Sequence, residues 1–238
     1  MFVTIDLKRL IKIVLIVALL AAAAVFVKIF VSNGGLKPVI NQNSRSTLVL
    51  DAGHGGIDGG AISDSGLKES DINLQIALKT EALVRFLGID TVMTRETDTD
   101  NSDNKAYSEH DNLVQRVKLA NSTENAVLIS IHQNKFPSAV VSGAEVMYSD
   151  NDDSKALGLI TQDNLVAVLD SSNRRVARPA PKELLLTSSV ECPTILVECG
   201  FMSNPQEAQK LASNDYQLKL AAILAGSYIQ FLNNTASA

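Results

Sequence analysis

From Thr47 onward, short apolar runs alternate with longer segments whose apolar residues recur every three or four positions. "TLVLD" reads as a buried strand. "SDINLQIALKTEALVRFLG" places Ile72, Ile76, Leu83 and Leu87 at helical spacing and stops at Gly88. "DTVMTR" predicts a second strand, and "ETDTDNSDNKAYSEHD", Glu96 to Asp111, a long acidic loop. "NLVQRVKLAN" predicts a short helix, "AVLISIH" a buried strand and "GAEVMYS" another strand. "DSKALGLITQDNLVAVLD" predicts a helix, "KELLLT" and "PTILVE" two more strands, and "DYQLKLAAILAGSYIQFLNN" the closing helix. Strands alternating with helices predict an α/β fold: a three-layer sandwich with a mostly parallel or mixed central sheet flanked by helices.

The hydrophobic pattern before Thr47 is different. Lys8, Arg9 and Lys12 precede Ile13 to Val27, a stretch without a polar side chain, and Lys28 then interrupts before "IFV". Counted through Val31, a helix there would be about 28 Å long, close to the hydrocarbon thickness of a bilayer. Lys28 could snorkel to the interface. Basic residues ahead of the span favour a cytoplasmic N-terminus and an exported body. Residues 1–31 read as a membrane anchor or a cleaved signal; the bulky "VFVKIF" is a poor cleavage site and favours the anchor. "SNGGLKPVINQNSRS", 32–46, reads as a polar linker, and 47–234 as the folded domain.

Composition adds limits. With 46% hydrophobic and 20% charged residues in 238, the chain suits one domain plus a short extra segment. The net charge of −5 and the lack of a long basic run exclude nucleic acid as an expected partner. The two cysteines, Cys192 and Cys199, fall on one expected strand, which would hold them about 23 Å apart at roughly 3.3 Å per residue. A bond between them is not expected, and both read as core thiols.

Three expected strands run into residues able to do chemistry: "TLVLD" toward His54, "AVLISIH" into His132 and "PTILVE" into Glu198. Ligands of open α/β sheets sit beyond the carboxyl ends of the strands. Glu69, at the end of the glycine-rich loop, is a fourth candidate. "LVLDAGHGGIDGGA" itself is neither a Walker loop, since no lysine follows the glycines, nor a dinucleotide fingerprint, since Asp58 occupies the last glycine position. A metal site is the remaining reading, the glycines letting backbone pass close to an ion. Two imidazoles and a carboxylate are a catalytic zinc set with one position left for water. Zinc lowers that water's pKa to about 7, and a second carboxylate can carry its proton to a leaving amine.

These residues lie in motifs that match a family. "LVLDAGHGGIDGGA", "GLKESDINLQIALK", "TRETD", "RVKLAN", "SIHQN" and "PTILVECGFMSNPQE" occur in order. Over roughly Leu48 to Leu232 the chain resembles the zinc-dependent N-acetylmuramoyl-L-alanine amidases, often called amidase type 3. The resemblance implies one zinc held by His54, Glu69 and His132, with Glu198 as the catalytic glutamate. It implies cleavage of the amide joining the lactyl group of N-acetylmuramic acid to L-alanine of the stem peptide, so the expected partner is peptidoglycan; an activating protein partner is left open. No wall-binding repeat flanks the domain, and no long inhibitory helix is inserted between Tyr148 and Val176. "SSNRRVARPAPKELLLT" and the single N-terminal hydrophobic segment are similar to the spore-cortex branch. A non-catalytic wall-binding or scaffold protein on the same fold is the alternative.

Other polar residues have plainer readings. Asp51 and Asp58 read as shaping the loop and Asn134 as a turn residue or an orienting group. Arg95 and Arg116 read as ion-pairing with acidic neighbours. His110 and the acidic loop read as solvated. Cys199, next to Glu198 on a strand, is expected to point away from it.

Overall fold

The computed structural model describes residues 46–101 and 107–235. The expected membrane segment and all but the last residue of the linker lie outside them. No helix among the described residues is long and apolar enough to cross a membrane.

Six strands form one sheet in the order β2-β1-β3-β6-β4-β5: β1 (Thr47–Ala52), β2 (Thr91–Met93), β3 (Ala126–Asn134), β4 (Glu145–Tyr148), β5 (Arg178–Pro179) and β6 (Thr194–Phe201). β2, β1, β3 and β6 are parallel; β4 runs antiparallel to β6, and β5 pairs in parallel with β4. The helices are α1 (Glu69–Phe86), α2 (Glu109–Ser122), α3 (Asp152–Leu169), α4 (Leu185–Ser189), α5 (Pro205–Leu211) and α6 (Asn214–Thr235). α6 packs against α1 and α3, while α2 packs against α4. This is the expected α/β architecture with a mixed sheet.

The central strands are buried on both faces, so they read as continuous apolar runs. Val49 and Leu128, register partners on β1 and β3, pack with Ala120 of α2 and Leu186 of α4. Side chains alternate along a strand, so Asp51, Ser130 and His132 share that same face. Leu48 and Leu50 face the opposite side and are fully buried. Ser108 caps α2, its Oγ accepting from the Asp111 amide at 3.2 Å, and Asn151 caps α3 by accepting from the Ser154 amide at 2.8 Å.

"KELLLT" is not a strand. Leu185–Ser189 forms α4, with Leu186 and Thr187 buried, and the sheet edge beside β4 is taken by Arg178–Pro179. Three leucines are too few to show a period, and packing against α2 decided the outcome. The acidic loop is also shorter than expected, because the Ser108 cap starts α2 at Glu109.

Candidate metal centre

The glycine-rich loop leaves β1 at Ala52 and turns back at once. His54, Gly55 and Gly56 have φ of 61°, 134° and 61°. Gly55 and Asp58 exchange backbone hydrogen bonds at 2.8 and 3.1 Å, closing a tight turn. That turn brings Asp58 Oδ2 within 2.7 Å of His54 Nδ1, and the Tyr107 hydroxyl donates to the same oxygen at 3.1 Å. With Nδ1 engaged, the imidazole presents Nε2 to the site.

Glu69 opens α1 and is buried. Its Oε1 lies 3.3 Å from His54 Nε2 and 3.1 Å from His132 Nδ1. Backbone amides fix both carboxylate oxygens: Ala61 N–H donates to Oε2 at 2.8 Å and Gln133 N–H to Oε1 at 2.9 Å. Asn73, one turn along α1, donates to Oε1 at 3.3 Å and to the Gly53 carbonyl at 3.1 Å. Among the described residues, His54, Glu69 and His132 thus form a cluster whose ligand atoms all lie within 4.8 Å of one another. Ligands about 2.1 Å from a tetrahedral zinc sit roughly 3.4 Å apart. The two Glu69–histidine separations match that spacing, and two imidazoles with one carboxylate are a suitable donor set.

Two glycines leave space for these rings. A Cβ on Gly53 would sit 2.3 Å from His132 Nε2, and one on Gly60 would sit 2.7 Å from both Glu69 Oε2 and His54 Cδ2. At these two positions glycine is needed because the proposed ligands occupy the volume that a side chain would need.

The electrostatics tie the three together. Burial alone would lower the pKa of His54, but the Glu69 and Asp58 carboxylates outweigh it and raise the value to about 9. Burial alone would raise that of Glu69, but His132 and His54 hold it well below the usual carboxylate range.

Glu198 is delivered by β6. It is the register partner of His132 on β3, so the two side chains leave the sheet on the same face. Both line a cleft of about 340 Å³ whose wall includes His54, Leu113, Met147 and Leu186. Glu198 Oε2 is buried without a hydrogen-bond partner. Burial pushes its pKa up to about 7, helped by the nearby Glu69 and Glu145 charges and opposed by His132 and His54. A carboxyl group that exchanges its proton near neutrality suits general acid–base work.

The profile of the N-acetylmuramoyl-L-alanine amidases matches residues 48–227. The chain belongs to this family. The amidase is a peptidoglycan hydrolase that cleaves the amide between the lactyl group of N-acetylmuramic acid and L-alanine of the stem peptide. It is 35% identical over 207 residues to the germination-specific N-acetylmuramoyl-L-alanine amidase of Bacillus subtilis, covering 85% of this chain and 86% of that protein. The CwlD amidase of Clostridioides difficile, solved in complex with the GerS lipoprotein, superposes with a TM-score of 0.75 at 33% identity, over 79% of this chain and 99% of that one. A second solved amidase, from Clostridium difficile 630, gives a TM-score of 0.71 at 31% identity, over 80% and 98% of the two chains.

Some of the other polar residues match the sequence reading and some do not. Arg116 does pair with Asp51, whose carboxylate also accepts from Thr94 and Ser130. Arg95 instead spends its donors on the Ala52, Gly53, Ser70 and Thr97 carbonyls. Asp58, read as a loop residue, also orients His54. Asn73 and Gln133, which hold Glu69, carry no signal of that role in the sequence pattern. His110 is exposed, on α2. Cys192 and Cys199 are both free, and Cys199 is buried.

Proposed function

We propose that the amidase holds one zinc ion through His54 Nε2, Glu69 Oε1 and His132 Nδ1, and that Glu198 moves the proton. The convergence of those three ligand atoms beside a carboxylate with one buried, unpartnered oxygen carries this reading. Zinc at such a site acts as a Lewis acid on the scissile carbonyl and makes a water molecule acidic near neutral pH. Glu69, fixed by two backbone amides, keeps the imidazoles apart at ligand spacing. Asp58 holds the His54 tautomer. Glu198 accepts the proton of the attacking water at its free oxygen and returns it to the departing L-alanine amine, so the peptide leaves as a neutral amine. The apolar wall of Leu113, Met147 and Leu186 limits water around that transfer.

The germination-specific relative from Bacillus subtilis, and the related amidase solved in complex with a lipoprotein, support a role on the spore cortex with a protein partner. The N-terminal apolar segment supports anchoring in a membrane, with the 47–234 domain outside the cytoplasm. Digestion of purified cortex and vegetative sacculi, with the released ends identified by mass, tests the reaction and its substrate together. Stem peptides with free L-alanine amines, released only while zinc is present, are the expected products; binding to sacculi without release would mark a scaffold protein instead.

A further inference from the structure

Past Ala52 the chain leaves the strand ladder, and its next carbonyls meet two buried guanidinium groups. Ala52 O accepts from Arg95 Nε at 2.9 Å and from Arg116 Nη1 at 2.8 Å. Gly53 O accepts from Arg95 Nη2 at 3.2 Å, and His54 O from Arg116 Nη2 at 2.7 Å. Both arginines are almost fully buried, at 4% and 2% exposure. Asp51 neutralises Arg116, and Asn112 Oδ1 accepts from Arg116 Nε at 2.8 Å. Arg95 also ties the loop to the start of α1, donating to Ser70 O at 2.7 Å. Burying two cations is costly, and the proton-transfer chemistry uses neither.

The conformation they hold explains the arrangement. His54 carries a side chain at φ 61°, in the left-handed region that favours glycine, and two more positive-φ residues come directly after it. Such backbone persists where its surroundings over-determine it. Asp58 fixes the ring of His54, while Arg116 fixes its carbonyl. The planar fork of Arg116 reaches Asp51, Ala52 O and His54 O together. A lysine ammonium, a single point donor, cannot span the three.

We infer that Arg116, with Arg95 beside it, is a positioning residue that presets His54 for the metal before the ion arrives. This rests on the zinc reading above. Neither arginine belongs to the His54–Glu69–His132 cluster; they grip three consecutive carbonyls so that Nε2 faces Glu69 Oε1.

The test measures zinc affinity by chelator competition in purified wild type and Arg116→Lys, each shown to be folded by circular dichroism. Visible spectra are recorded on the cobalt(II)-substituted forms. Arg116→Lys keeps the charge facing Asp51 and loses the fork. The expected result is zinc affinity about 10–100-fold weaker, together with altered cobalt d–d bands. A purely structural arginine would lower the melting temperature yet leave both quantities unchanged in the folded fraction, and that outcome overturns the inference. If Arg116→Lys does not fold, Arg95→Lys, which leaves the Asp51–Arg116 pair intact, is judged by the same two readouts. Wild type that takes up no zinc refutes the metal reading itself.

Discussion

His132 and Glu198 face one another across the β3–β6 ladder as register partners, one a proposed ligand and the other the proposed base. The ladder slips immediately afterwards: the next pair is Asn134 with Phe201, two residues along β3 against three along β6. A bulge at this position re-aims the residues downstream without disturbing the pair itself. The sheet therefore sets the separation between ligand and proton carrier, not a loop.

Replacing Glu198 by Gln keeps the shape and removes the proton acceptor. Zinc content by elemental analysis should stay near that of wild type, while turnover should fall by about 10²–10⁴-fold. Loss of zinc along with activity would make Glu198 a ligand.

A base works only when deprotonated, so wild-type kcat/KM should fall as pH drops through the Glu198 pKa. That value is about 7 without metal. A dication nearby favours the carboxylate, so the acid limb of the loaded enzyme should lie below 7. A limb above 7 would assign the proton transfer to another group.

Zinc uptake should itself depend on pH. In the metal-free protein His54 keeps a proton up to about 9, and zinc must displace it. Apparent affinity should therefore rise with pH, by up to about tenfold per unit while one proton is released, and level off above about 9. Competition titrations at several pH values measure the slope; a flat profile from pH 6 to 9 would remove His54 from the ligand set.

His132→Ala should abolish most zinc binding and nearly all activity while leaving the sheet intact. Gly53→Ala should mimic it with every proposed ligand still in place, because the new methyl would stand 2.3 Å from His132 Nε2 and force the ring aside. Overpacking of this kind costs about 1–3 kcal/mol. Full zinc occupancy in Gly53→Ala would show that the ring has room to move.

Fractionation of cells should place the full-length chain in membranes, and a chain begun at Asn41 in the soluble fraction. A shorter mature form in the medium would identify a cleaved signal.

The three strands that deliver His54, His132 and Glu198 were legible because strands buried on both faces read as unbroken apolar runs, and their polar ends stand out. "KELLLT" suits a strand as well as a helix because Leu184, Leu185 and Leu186 carry no period. α5 is too short to show a hydrophobic period, but Asn204 caps it, Pro205 opens it and Glu207 sits in its first turn, a helix-start signature. The partners of Arg95 could not be read from charge, because carbonyl groups are invisible to a count of acidic residues. Asp58 lies four residues from His54, but only the positive-φ turn brings the two side chains together.

The pairing of His132 with Glu198 also constrains which assembly errors the chain can survive. If β6 slipped by one residue against β3, Cys199 or Val197 would take the place of Glu198, and the carboxylate would turn into the apolar layer beneath α1 and α6. Such a misaligned sheet would lose its reactivity and strand an ionisable group in hydrocarbon at the same moment. The position proposed to move the proton thus penalises the wrong strand alignment as well.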